Sequence, residues 1–361
     1  VSMTIPGLFM SPIAGSFADR FDRRKILIVV SILQAFAALL LLLHSAAGIW
    51  ITFVAQCLIA ALASFVGPST SASVPNLVDN DDDLRKTNAL FGSTWGTMLA
   101  VGAALGGVFA AVFGRNAAFI ANAVSFVVAA LLFSGVKRPM QSERTQNSNK
   151  GRVRPIADMK EAINVAKKDP VILALLCSKM TFAVGAGIVS QLAVLASNVF
   201  NVGDSGRGLL IGVRGIGSGL GPILGARIAG RDMAKLLKVC GYAGLVFAVC
   251  YVGAALSPFI GMAAVFIALA HLSGGAQWTL STLGLQMEAP DHVRGRVMAG
   301  DMAMVNTMIG FTSILAGLTS QFIGVRPAII IFAAAAAVAS VVYLFATAGI
   351  IRRLRNETLQ Q

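Results

Sequence analysis

Apolar residues run along this chain in long continuous stretches separated by short polar segments, with no alternation of single apolar and polar positions. A helix crossing a hydrocarbon core needs about 20 mainly apolar residues. Eleven stretches qualify, at about 1–18, 26–43, 48–75, 87–113, 116–135, 170–199, 205–228, 234–256, 258–286, 296–322 and 325–351. Several contain Gly or Pro, which membrane helices tolerate because neighbouring helices satisfy the freed backbone groups. Barrel strands would alternate, so they are excluded. The longest polar segment, 136–169, reads as a linker ending in an amphipathic helix near 157–168, with five spans before it and six after.

Composition agrees. Of 361 residues, 56% are hydrophobic and 12% charged, half the charge of an ordinary soluble domain. A water-soluble enzyme, a disordered chain and a disulfide scaffold are excluded, leaving an all-α polytopic membrane protein. The net charge of +13 raises the question of nucleic acid, and the placement of the basic residues answers it. Alternate connections carry 24 of the 29, among them Arg20, Arg23, Arg24, Lys25, the linker lysines and arginines, Arg294, Arg296 and the Arg352–Arg355 tail. The opposite side has Arg115, Arg207 and Arg326, and Lys179 and Arg214 fall within spans. That asymmetry makes the basic side cytoplasmic, in the plasma (inner) membrane of a multi-pass protein whose linker and C-terminus are cytoplasmic. Basicity is topology, and nucleic acid is not a partner; the lipid bilayer is. Cys57, Cys177, Cys240 and Cys250 lie in apolar runs without ligand spacing, and His44, His271 and His292 form no cluster. No metal or other cofactor is expected.

The two halves correspond at an offset of 210: Gly7 with Gly217, Pro12 with Pro222, Gly15 with Gly225, Asp22 with Asp232, Lys25 with Lys235, Asp81 with Asp291, Gly107 with Gly317 and Gly114 with Gly324. Both copies run in the same direction, a parallel repeat. The span at 170–199 then has its counterpart before residue 1. The chain reads as 11 of 12 helices, starting inside a reading frame at Val1, with no cleavable signal peptide. The predicted organisation is an N-terminal bundle at 1–135 (helices 2–6), the linker at 136–169, a C-terminal bundle at 170–351 (helices 7–12) and a tail at 352–361.

Between the first two spans stands Gly15-Ser-Phe-Ala-Asp19-Arg20-Phe-Asp22-Arg23-Arg24-Lys25. This resembles the loop motif Gly-x-x-x-Asp-Arg-x-x-Arg-Arg of the major facilitator superfamily, and its second copy is weaker, with Ala229 where Asp19 would repeat. Val74-Pro75-Asn76-Leu77-Val78 followed by acids, then Asn88-Ala89-Leu90, resembles the drug-antiporter branch with macrolide and enterobactin exporters. The resemblance implies the major facilitator fold of two pseudo-symmetric helical bundles. It also implies that Asp19 faces the N-terminus of the eleventh helix, here beginning near Arg296. Gly15 permits close helix approach. Arg20, Arg23 and Arg24 are expected to pair with acids such as Asp79 to Asp83 or Asp301, forming a conformational switch; the bland alternative is a basic anchor that fixes topology.

Ionisable residues inside a membrane are expensive and point to function. Lys179 lies about 13 Å into its span at 1.5 Å per residue, on the helix that in the superfamily lines the central cavity. Arg214, beside Gly217, Gly221 and Gly225, is a gate candidate or a snorkelling side chain. Trp95, Gln191, Gln277, Trp278 and Asn306 are cavity candidates, each also readable as an interhelical contact. Gly102-Ala103-Ala104-Leu105-Gly106-Gly107 resembles the superfamily antiporter motif, with Ala103 where proline is expected. Neither GxxxxGK[ST] nor HExxH is present, and no catalytic pair lies in the spans, so no enzyme is expected. The implied function is secondary active transport by alternating access, proton-coupled export of drugs, siderophores or other amphiphilic small molecules by a monomer. The alternatives are metabolite import and a non-transporting scaffold or sensor.

Overall fold

The computed structural model describes residues 4–45, 48–141, 155–230 and 232–359, and the described residues are helical without strands. The long helices are α1 (Thr4–Arg20), α2 (Arg23–Leu39), α3 (Ile49–Leu77), α4 (Asp81–Phe113), α5 (Arg115–Gly135), α6 (Pro155–Lys168), α7 (Pro170–Ala186), α8 (Gly203–Ala229), α9 (Met233–Leu256), α10 (Ile260–Glu288), α11 (Asp291–Ile323) and α12 (Val325–Leu359). Helix α7 continues through a 3-10 turn at Gly187–Gln191 and a π turn at Leu195–Val199. Among the described residues nine helical stretches are long and apolar enough to cross a membrane. The expected spans at 1–18 and 87–113, now α1 and α4, include residues whose side chains are not described and are not among the nine. The linker's residues 142–154 lie outside the described residues, as does Arg231, and α6 occupies the linker's remainder. Phe322 is 85% exposed and Phe345 79%, an apolar cover that suits lipid and would aggregate in water.

The 210-residue offset has a physical basis. Helices α4 and α11 begin and end at corresponding positions, and α2 and α9 begin at corresponding positions. The Asp22 carboxylate accepts the backbone N–H groups of Arg24 (2.9 Å) and Lys25 (3.3 Å), capping α2. Asp232 caps α9 by accepting from Lys235 N–H at 3.0 Å. Gly114 and Gly324 stand between consecutive helices with φ of 84° and 90°, a left-handed backbone that glycine adopts without a Cβ penalty. Gly7, Pro12 and Gly107, also matched by the repeat, lie outside the described side chains, as do most residues of the 102–107 motif.

The helices form two compact units that do not follow chain order. One comprises Val1–Asp79, Ala104–Asp169 and Leu285–Met304; the other comprises Asn80–Ala103, Pro170–Gly284 and Val305–Gln361. In the first, α1 packs on α3 and α6, while α2 packs on α3 and α5. In the second, α9 lies along α12 and α7 around Ile188, Leu210, Phe247, Tyr251, Ile267 and Ile329. The start of α11 belongs to the first unit, which sets it against the end of α1.

Candidate functional site

The motif at the end of α1 closes on the first turns of α11, within the first unit. Asp19 is 1% exposed. Its Oδ1 accepts the Gly295 N–H at 2.7 Å; its Oδ2 accepts the Arg296 N–H at 3.1 Å and the Arg296 Nε–H at 2.7 Å. The carboxylate is thus held by two backbone N–H donors and one charge-assisted bond from a guanidinium, the stronger kind of hydrogen bond. Close approach makes this possible. A Cβ on Gly15 would stand 2.7 Å from Ala299 Cβ, and one on Gly295 would overlap the Asp19 carboxylate. Helix α11 begins at Asp291, five residues before the start the sequence suggested, so Asp19 meets its second turn.

The arginines divide. Arg23, fully buried, donates from Nε to the Ala18 carbonyl (2.8 Å) and from a terminal nitrogen to the carbonyls of Ala72 (2.7 Å) and Met140 (3.1 Å). Its acidic partners are Asp291 at 3.5 Å and Asp19 at 3.7 Å. The expected pairing of Arg23 with Asp79–Asp83 or Asp301 is corrected: Asp79 instead meets Arg138 at 2.9 Å, and Asp82 meets Arg85 at 2.6 Å and Lys86 at 3.2 Å. Hydrogen bonds from Arg85 and then Lys86 hold the Asp82 carboxyl below the usual carboxylate range. Arg24 donates to the Val136 carbonyl at 2.7 Å, and Arg20 is half-buried at the end of α1. Asp301 is fully buried in α11.

Sequence reasoning used Asp291 only as a repeat marker, yet it is a hub. It accepts from Arg294 (2.8 Å), Asn76 (3.1 Å) and Arg23 (3.5 Å). Asn76 stood within the quoted Val74–Val78 motif, a signal that could have found it. Glu161 of α6 pairs with Arg296 at 2.6 Å, tying the linker helix to the same cluster, and Gln141 donates to the Asp19 carbonyl at 2.9 Å.

In the second unit Lys179 is fully buried. Its Nζ donates to Thr282 Oγ1 at 2.8 Å and lies 5.1 Å from the Trp278 ring centroid, a cation–π contact. Of the two readings of Gln277 the structure shows the interhelical contact: 1% exposed, it donates to the Ser178 carbonyl (2.6 Å) and Thr181 Oγ1 (2.7 Å). Gln191 is also buried and donates to Ser190 Oγ at 3.0 Å. Trp95 and Asn306 are exposed. Arg214 is partly exposed, with its Nε buried and without an acceptor.

A strand-free set of long apolar helices, with a buried acid–arginine cluster at one end, defines a polytopic membrane transporter fold. The family described as transmembrane secretion effector matches residues 1–355, and the chain belongs to that family, within the major facilitator superfamily of transporters. It is a transporter and not an enzyme. Similar proteins include the proposed bacilysin exporter BacE of Bacillus subtilis (strain 168), 23% identical over 329 residues, covering 89% of this chain and 78% of that protein. The staphyloferrin A transporter of Staphylococcus aureus is 23% identical over 337 residues, covering 89% of this chain and 79% of that one. Among solved structures, the human organic anion transporter MFSD10 (TETRAN) aligns with a TM-score of 0.77 at 13% identity, covering 94% of this chain and 82% of that one. A bacterial homologue of the iron transporter ferroportin aligns at 0.74 and 17% identity, covering 96% and 89%. Both share the fold.

Proposed function

We propose that this protein exports amphiphilic small molecules across the plasma membrane by alternating access, driven by the proton gradient, with its basic connections cytoplasmic. The observation that carries the reading is the Asp19–Gly295–Arg296 cluster. It is buried, charge-paired and joins the chain's first helix to its eleventh, and we assign to it the switch between the two access states. Export as the direction draws support from the relative named as a bacilysin exporter; the relative named as a staphyloferrin A transporter supports transport of a small molecule without giving a direction. Lys179, between α7 and α10, is the ionisable group we assign to contact with solute or with the coupled proton. The cytoplasmic assignment rests on the 24 basic residues of alternate connections.

The test is accumulation in everted membrane vesicles carrying the full reading frame. A panel of amphiphilic drugs and siderophore-like anions is offered with and without an uncoupler. Uncoupler-sensitive accumulation of any member is expected. Uptake that occurs only in right-side-out vesicles would overturn the direction, and accumulation indifferent to the uncoupler would overturn the coupling.

A further inference from the structure

Arg214 has no part in that reading so far. It lies eleven residues into α8, about 16 Å from Gly203 along the axis at 1.5 Å per residue. That is farther than an arginine side chain reaches to the helix end. One turn later on the same face, a Cβ on Gly217 would overlap the Ala268 carbonyl of α10, and one on Gly221 would overlap that of Leu272. The face bearing Arg214 is therefore turned into the second unit. There the guanidinium is within electrostatic reach of Tyr251 of α9 and His271 of α10. These two are hydrogen-bonded to each other, Oη to Nε2, at 2.8 Å.

Neither neighbour is an acid. Among the described residues Arg214 makes no hydrogen bond or ion pair, and its Nε is buried without an acceptor. The acids of this unit are Asp81, Asp82, Asp83, Asp204, Asp232 and Glu357, all in caps or in the first or last turn of a helix and none within a span. A guanidinium keeps its charge at any physiological pH, so it cannot escape the cost of burial by losing a proton. The side chain is nonetheless partly exposed.

We propose that Arg214 binds a carboxylate carried by the transported solute, and that carboxylate-bearing amphiphiles are accordingly the substrate class. This rests on the export reading above. The planar fork of the guanidinium matches a carboxylate with two parallel N–H donors.

The experiment compares N-dansyl-alanine with N-dansyl-alaninamide, which share an aromatic body and differ in the carboxylate. Both are offered to everted vesicles containing the full-length wild type, Arg214→Gln or Arg214→Lys at matched membrane levels. The wild type should accumulate the acid over the amide by about tenfold or more, the range of one charge-assisted hydrogen bond. Arg214→Gln should bring the ratio close to one, and Arg214→Lys should keep part of the preference. A preference unchanged in Arg214→Gln overturns the proposal. Equal accumulation of both probes by the wild type overturns it too, while export stands. A wild type that accumulates neither probe fails the export reading, and the proposal falls with it. Loss of both probes in both variants marks a structural arginine and overturns it. Thermal melts with and without chloride complete the test: chloride stabilisation of the wild type that Arg214→Gln lacks identifies chloride as the occupant and overturns the solute assignment.

Discussion

Asp19 accepts the backbone N–H of Gly295 at 2.7 Å across 276 positions of sequence, and in doing so ties the last turn of α1 to the start of α11. The same carboxylate lies between Arg296 at 2.7 Å and Arg23 at 3.7 Å. Removing one partner of a buried ion pair leaves the other charge uncompensated, at about 3–5 kcal/mol. Asp19→Asn is therefore expected to lower the thermal midpoint in detergent and cut transport about tenfold or more. A double-mutant cycle with Arg296→Gln should show coupling above about 1 kcal/mol. Additive effects would show that the two side chains do not act together.

Gly295→Ala places a methyl group where the Asp19 carboxylate stands, and Gly15→Ala places one 2.7 Å from Ala299 Cβ. Overpacking of this kind costs about 1–3 kcal/mol, and here it separates the helices. Both variants should insert at normal levels and transport poorly, with Gly295→Ala the worse because it also displaces the carboxylate. Normal initial rates in Gly295→Ala would show that the close approach is dispensable.

Asp291 and Glu161 give a contrast within one cluster. Asp291 joins Arg294, Asn76 and Arg23, whereas Glu161 meets Arg296 from a half-exposed position. Exposed pairs contribute about 0–1 kcal/mol. Asp291→Asn should lower the melting midpoint clearly and Glu161→Gln hardly at all; the reverse order would refute this ranking.

Lys179→Ala should impair transport while leaving insertion intact. Its Nζ bonds Thr282 and faces Trp278 deep in a span, and removal leaves the helices themselves unbroken. Wild-type rates in everted vesicles would rule out a functional lysine here.

The caps Asp22 and Asp232 are expected to act on stability. Each should cost about 1 kcal/mol on replacement by Ala, the usual loss for an N-cap. Chemical or thermal melts should rank the two alike, since each serves the first turn of its helix through its own carboxylate.

Much of the fold was legible because lipid imposes a simple rule. Every span must be long, apolar and helical, so the stretches around Phe36, Leu131 or Val249 announce themselves. The repeat was legible for a related reason: caps such as Asp22 and Asp232, and turn residues such as Gly114 and Gly324, are demands of local backbone geometry. The switch motif showed through Asp19, an acid set among arginines where topology alone asks for none. Gln277 stayed open between cavity wall and interhelical contact, because an amide on an apolar helix looks the same whether it lines open space or bonds a neighbouring carbonyl.

The sequence alone determined the membrane-spanning helices, their parallel repeat, the motif and the charge asymmetry, each a property of neighbouring residues or of a fixed period. Tertiary structure alone decided that Arg23 pairs with Asp291 and not with the nearer acids of Asp79–Asp83. It also decided that Asn76 and Glu161 join the cluster and that the Arg214 Nε is buried without an acceptor. These pairings depend on which helix faces meet and how closely, and helix approach is set by packing among residues hundreds of positions apart, which no local pattern encodes.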